Sequence, residues 1–573
     1  MEHKNCKQCE KEFIVEDEDL KFYENISPTF DGQHFAIPSP TLCPDCRMRR
    51  RVAWRNERNL YKRKCDLCQK QIVALYEQES PFTVYCQECF WSDKWDPTKF
   101  ALEYDSSKSF IEQVKEIQKK APRLALLNSL SENSEFTNHS ARNKDCYLVF
   151  SSFECERIMY CQKTRNSKDD LDCNMCFYGS ELCYECFLIE NCYSLKYSVS
   201  CKDCSNSNFL FDCVGCKNCY MCYGLRNKQY YFENEQLTKE EFEQRIPNLG
   251  SREVRDRERA KFQEFTKDAV HKYARFTNCE DSTGDDLINC SKCINCYNVE
   301  KAENCKNFEN GELINWGVDC YGAGNPGEYL YECHGVLDGH NCAFLHASYH
   351  STRMFYCDNC HSSQDILGCV SMKQSQYCIL NKQYSKEEYE KKAAEVIENM
   401  KESGEWGEFF PMSMSPFAYN ETLAQQYFPL EKNQIEAIGA NWREIKHEPA
   451  DVNTVIPHDD ISIYINSKEE VDRLLASAIK CSESGIPFRI LPQEMVFYLK
   501  EKIPIPVLHY NQRHLAREKN INPRKLYHRK CMNEGPSFAA TTDGRCTNEF
   551  ETTYAPDRPE KVYCEACYQK CII

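Results

Sequence analysis

The residues whose types and spacing could do chemistry are cysteines in CxxC pairs. Cys6/Cys9 with Cys43/Cys46 make one set of four thiols, and Cys65/Cys68 with Cys86/Cys89 make a second. Two such turns deliver four soft thiolates in a tetrahedron, which suits zinc at about 2.3 Å per Zn–S bond. With all four positions filled by protein, no place remains for a reactive water, so these sites read as structural. A third set, Cys531, Cys546, Cys564 and Cys567, lies near the other end. About three structural Zn2+ ions are therefore expected.

Stepping outward, the third set belongs to a worn copy of the first ninety residues. CSESGIPFRILPQEMVFY (481–498) lies over CKQCEKEFIVEDEDLKFY (6–23) at an offset of 475. Residues 503–531 lie over 37–65 at an offset of 466, and 546–568 over 68–90 at 478. In this alignment Cys65, Cys68, Cys86 and Cys89 become Cys531, Cys546, Cys564 and Cys567. At the other site, Cys6, Cys9, Cys43 and Cys46 become Cys481, Ser484, His509 and Gln512. Two possible ligands hold zinc poorly, so that site is expected to be empty, with apolar packing in its place. Cys571 has no counterpart and reads as a spare thiol.

Each module carries a basic connector. Residues 47–64 hold nine Arg or Lys in eighteen, among them Arg47, Arg49, Arg50, Arg51, Arg55, Arg58, Lys62 and Arg63. The copy keeps Arg513, Arg517, Arg524, Lys525 and Arg529. One reading is a nucleic-acid face, with Trp54 and Tyr61 stacking on bases between phosphate contacts. The other is a solvated linker that neutralises thiolates and the acidic remainder. Net charge is −16, so any binding to nucleic acid has to come from such a local patch.

Between the modules, Phe110, Ile111, Val114 and Ile117 fall at helical spacing and predict a connecting helix. Then cysteines recur singly or in pairs: Cys173, Cys183, Cys192, Cys201, Cys213, Cys222. Taking alternate ones gives a beat near twenty residues, the mark of a β-solenoid coil. The segment is also duplicated. FTNHS at 136 matches FTNCE at 276, and the stretch from Cys222 matches that from Cys369, offsets of 140 and 147. Both copies close with a predicted capping box, Thr238 with Glu241 and Ser385 with Glu388, opening a helix that covers the last coil. The interior cysteines read as stacked ladders, with further metal or a thiolate cluster at runs such as CVGCKNCYMC as the alternative. One cluster in the second copy, His334, Asp338, His340, His346 and His350 with Cys333 and Cys342 and His361 nearby, could support a hydrolytic or metal site. Scattered solvent-facing histidines are the plainer account, and no catalytic residue is assigned. No P-loop, GxSxG or HExxH motif occurs.

The segments CKQCEKEF, LKFY, PTLCPDCR, RNERNLYKRKC and VYCQECFWSDKWDP resemble the cysteine-rich "probable zinc-ribbon" proteins of small-genome bacteria. The resemblance implies zinc and brings no activity or substrate with it.

The expected fold is mainly β with some α: treble-clef/zinc-ribbon modules at both ends flanking two duplicated β-solenoid-like units, each followed by a helix. The boundaries are 1–96, a helical connector 97–135, solenoid units 136–250 and 276–400 around a helical linker 251–275, an extended linker and helix 401–480, and 481–573. Without an apolar leader or membrane-length run, a cytoplasmic location with reduced thiols is expected. The function expected is a non-enzymatic, zinc-stabilised scaffold contacting RNA or DNA through 47–64 and 513–530, or binding protein through its solenoid faces. No small-molecule substrate is inferred.

Overall fold

The computed structural model describes residues 1–177, 179–323, 327–332, 352–444, 453–535 and 545–572. The chain opens on an antiparallel hairpin, β1 (Glu2–Asn5) and β2 (Glu12–Val15), whose turn carries Cys6 and Cys9. Two backbone bonds close that turn, Cys6 N–H to Lys11 O and Glu10 N–H to Cys6 O, both 2.9 Å. Helix α1 (Asp17–Ile26) follows, and α2 (Pro44–Val52) starts from Cys43 as N-cap. Pro44 stands at the first helical position, where a missing N–H is harmless.

The unit then recurs. Strands β3 (Tyr61–Lys64) and β4 (Gln71–Ala74) pair around Cys65 and Cys68, and α3 (Gln87–Phe90) is capped by Cys86. The strands thus flank the first CxxC pair. Gln69, at φ 62°, reverses the chain directly after Cys68, so both strands grow from the knuckle. Helix α4 (Phe110–Lys120) forms as expected, burying Phe110, Val114 and Ile117.

From Asn128 the chain winds into a parallel β-solenoid. Bridges join residues twelve apart: Ala141 to Phe153, Phe153 to Arg165, Arg165 to Phe177. The coil is therefore twelve residues, which corrects the period near twenty. Every third residue is left-handed, as at Asp145 (φ 54°), Leu148 (50°), Ser151 (52°), Glu154 (57°) and Arg157 (53°). Each of these turns a corner, and the next residue points inward: Cys146, Val149, Cys155, Ile158 and Cys161 are all buried. Four triplets close a square coil. Asn and Asp tolerate this backbone best among residues with a side chain, and Asn289, Asn295, Asn298, Asn304, Asn307 and Asn310 occupy corners of the second solenoid.

Inward positions need small groups that also satisfy corner backbone. Ser152 Oγ donates to Phe150 O (2.9 Å) and accepts from Thr164 N–H (3.2 Å) on the next coil. Cys186 Sγ donates to Tyr184 O (3.4 Å) and Leu195 O (3.2 Å). A thiol is a small hydrophobe with a weak donor, so it meets both needs.

Both solenoids end in the same way. Tyr231–Phe232 turns back on Glu235–Gln236 before α5 (Lys239–Arg245), and helix α6 (Arg252–Phe265) leads onward. In the second, Gln376–Ile379 meets Lys382–Gln383 before α7 (Lys386–Ser403). Both expected capping boxes form. After α8 (Lys468–Ala476) come α9 (Pro492–Glu501), α10 (Tyr510–Glu518), the hairpin β5 (Tyr527–Lys530) with β6 (Glu549–Thr552), and α11 (Glu565–Tyr568). No helix among the described residues is long and apolar enough to cross a membrane.

Candidate metal centres and the basic connectors

Three groups of four cysteines come together: Cys6, Cys9, Cys43, Cys46; Cys65, Cys68, Cys86, Cys89; and Cys531, Cys546, Cys564, Cys567. Within each, the sulfurs all lie within 4.8 Å of one another. Sulfur pairs approach to 3.6 Å (Cys9, Cys43), 3.9 Å (Cys68, Cys86) and 3.8 Å (Cys546, Cys564). A tetrahedron with bonds of about 2.3 Å has edges of about 3.8 Å, so the donor geometry fits a small tetrahedral ion.

Each group joins a knuckle to a helix start. Cys43, Cys86 and Cys564 are N-caps, so the positive helix end faces the sulfurs. Cys86 N–H points at Cys65 Sγ and Cys564 N–H at Cys531 Sγ, both 3.3 Å. Burial pushes the Cys65 thiol up, but the N–H groups of Cys68, Cys86 and Leu67 outweigh it and bring the thiol down to about 7.

At the fourth knuckle the turn persists without its ligands. Cys481 N–H reaches Ile486 O and Gly485 N–H reaches Cys481 O, each 3.0 Å. His509 is the N-cap of α10, its Nδ1 accepting from Asn511 N–H at 3.2 Å. The imidazole thus serves as a helix cap there.

Most of the connector arginines turn inward, whereas the connector lysines Lys62, Lys64, Lys519, Lys525 and Lys530 stay exposed. Arg47 Nε bonds Asp319 at 2.6 Å, and Arg51 stands 3.8 Å from the same carboxylate. Arg50 meets Glu332 (2.6 Å) and Glu408 (2.9 Å), Arg55 meets Glu57 (2.6 Å), and Arg63 meets Asp66 (2.8 Å). In the C-terminal module, Arg513 and Arg517 share Asp172 at 2.8 and 2.9 Å, and Arg524 holds Glu309 at 3.0 Å. Arg529 donates to Ala555 O at 3.2 Å. Arg49 is half-buried with its guanidinium over Phe428, Arg58 is half-buried, and Lys62 and Lys525 are exposed. Trp54 is buried and stacked on Phe410, and Tyr61 bonds Glu421, so neither ring is open to a base. Guanidinium groups this deep are stable only when paired, and the solenoids supply Asp172, Glu309, Asp319 and Glu332 for that purpose.

Those carboxylates were missed in the sequence, although a signal was present. Asp172 and Asp319 stand 147 residues apart, the offset of the solenoid repeat, while Arg47/Arg51 and Arg513/Arg517 stand 466 apart. The apolar contacts correspond as well. Phe22 and Tyr23 meet Tyr331 at 6.5 and 5.2 Å between ring centroids, while Phe497 and Tyr498 meet Tyr184 at 6.2 and 6.3 Å. The N-terminal knuckle and α2 thus sit on the second solenoid, and α9 and α10 sit on the first.

Among the described residues, no solenoid cysteines form a further metal-holding group. Burial pushes the Cys161, Cys186 and Cys201 thiols well above their usual range. His334, Asp338, His340, His346 and His350 lie outside the described residues. His361 is buried with Nε2 3.1 Å from Asn359 Oδ1, against Phe90 and Trp91.

No family model matches this chain, and no curated protein does. A crystal structure described as that of a candidate acetyltransferase from Desulfovibrio desulfuricans G20 is similar at 11% identity and a TM-score of 0.10. The match covers 39% of this chain and 62% of that one, so it spans less than two thirds of that protein. A likeness of that size carries no statement about fold or activity here.

Proposed function

We propose that this protein is a non-enzymatic scaffold in which three structural zinc ions rigidify two end modules, and those modules clamp two copies of a solenoid. Its working surface, in this reading, is the outer faces of the solenoids, offered to protein partners. The observation that carries it is the inward course of the connector arginines. Arg47 and Arg51 on Asp319, and Arg513 and Arg517 on Asp172, are buried structural pairs, which takes those arginines away from phosphates. The matched offsets of these contacts support descent of the solenoids, and of the end modules, by duplication. The resemblance to zinc-ribbon proteins without a known activity agrees with zinc as a structural rather than catalytic element.

Filter binding of the full chain to mixed-sequence RNA and duplex DNA at low salt tests this. The expected result is weak retention that is the same for the wild type and K62E/K64E/K519E/K525E/K530E, which reverses the five exposed connector lysines, and for K62E/K525E. Tight, salt-sensitive retention abolished by either variant would replace the scaffold reading with a nucleic-acid one.

A further inference from the structure

Arg58 departs from the pattern of the other connector arginines. Its counterpart at the 466 offset, Arg524, holds Glu309, whereas no described carboxylate lies within ion-pair distance of Arg58. Its guanidinium lies over the Phe150 ring at 4.8 Å, and its Nη2 reaches Asn511 Oδ1 only at 3.4 Å. Nη1 is shut off from solvent and meets no acceptor. Beside it, His514 is 3% exposed. Its Nδ1 faces the amide of Asn174, Nδ2 at 3.5 Å, which leaves the ring hydrogen on Nε2. That Nε2 also lacks an acceptor, the nearest Glu518 oxygen being 3.9 Å away.

Positive groups crowd the ring, while the Glu518 and Glu57 carboxylates act on Arg58 from beyond ion-pair distance. Burial first, then Arg58, Arg517 and Lys163, hold His514 well below the usual histidine range, so its ring is neutral and Nε2–H can only donate. Burial and the nearby Arg517 also draw Arg58 down to about 10. Two enclosed donors on adjacent side chains, one on a cation without an ion-paired counter-charge, define what is missing: acceptors that bring negative charge. A water molecule would accept the hydrogen bonds but leave the charge unpaired.

We propose that Arg58 Nη1 and His514 Nε2, with Asn511 at the rim, form a binding site for a small oxyanion of the phosphate class. Arg58 is half-exposed and Asn511 exposed, so the site opens to solvent on that side. The site lies where the first module, the first solenoid and α10 meet, so an anion there would tie all three together.

Calorimetric titration of the full chain with inorganic phosphate, against acetate and chloride at matched ionic strength, tests the proposal. One phosphate per chain is expected, with acetate weaker. R58Q and H514L should each weaken phosphate about ten-fold or more, the loss of a charge-assisted hydrogen bond, while zinc content stays at the wild-type value. R58K, which keeps the charge but not the fork, should fall between wild type and R58Q. No saturable phosphate binding to the wild type up to about 10 mM, where an affinity of only about 3 kcal/mol would still register, overturns the site. Unchanged affinity in both R58Q and H514L overturns it too, and acetate binding as tightly as phosphate overturns the phosphate class. The wild-type titration stands by itself even where a variant fails to fold.

Discussion

Asp170 is a carboxylic acid inside the first solenoid, at an inward position otherwise given to thiols, hydroxyls and aliphatic groups. Ser180 Oγ donates to its Oδ2 at 2.6 Å and Cys183 N–H to its Oδ1 at 2.8 Å. Burial pushes its carboxyl up to about 7, against the usual value of about 3.9. Between those two values the folded chain keeps the proton that the unfolded chain has lost. Stability therefore falls as pH rises through that window, by about 1.4 kcal/mol per unit, and the loss is complete above the folded value. D170N keeps the shape without the charge. Its urea midpoint, compared with the wild type at pH 4.5, 6 and 8, is expected to show a gain that grows with pH and is small at 4.5. A variant less stable than the wild type at pH 8 would contradict this account. Zinc ligands also protonate in acid, so the difference between the two chains at each pH is the quantity to follow.

At the scale of elements, the two arginine–aspartate locks decide how helices dock on coils. Removing one charge from a buried pair strands the other, at a cost of about 3–5 kcal/mol. D172N strands Arg517 and leaves Arg513 only Glu494 at 3.6 Å, and D319N strands Arg47 and Arg51, so both substitutions should lower the urea midpoint. A large effect from one and none from the other would mean the docking contacts are not equivalent. The locks also show where sequence reading works. Four thiols in two CxxC pairs announce a metal shell because ligand number and spacing are local, and Thr238 and Ser385 announce helices for the same reason. The coil length was hidden because inward positions accept Cys, Ser, Thr, Val, Ile, Leu and even Asp170. Following cysteine alone therefore sampled an irregular subset, and Cys173 to Cys192 looked like one turn although Cys173 stacks between the coils of Cys161 and Cys186. The fate of the basic connectors was hidden because a charge run does not name its partner. Asp319 sits alone in NWGVDCYG, and only the fold brings it to Arg47.

For the whole molecule, metal content is the sharpest discriminator. Protein purified under reducing conditions should hold about three zinc ions per chain, one for each group of four sulfurs. Brief alkylation of the native protein should modify the exposed Cys571 while sparing solenoid thiols such as Cys161, Cys186 and Cys201, which are buried and pushed well above their usual range. Six or more zincs would mean that the ladders carry metal. The way the end modules straddle the middle has a further consequence. The N-terminal module reaches the first solenoid's lead-in strand through Val84–Tyr85 and the second solenoid through Arg47. The C-terminal module does the reverse, through Lys561–Tyr563 on Val270–Lys272 and through Arg513 on Asp172. Neither half of the chain is complete without the other. Residues 1–250 and 276–573 amount to two subunits of a heterodimer that happen to share one backbone. The segment that links them adds architecture of its own, since Val270–Lys272 receives Lys561–Tyr563 and Phe262 of α6 packs on Phe209 of the first solenoid, and the unbroken backbone also raises the effective concentration of the two halves.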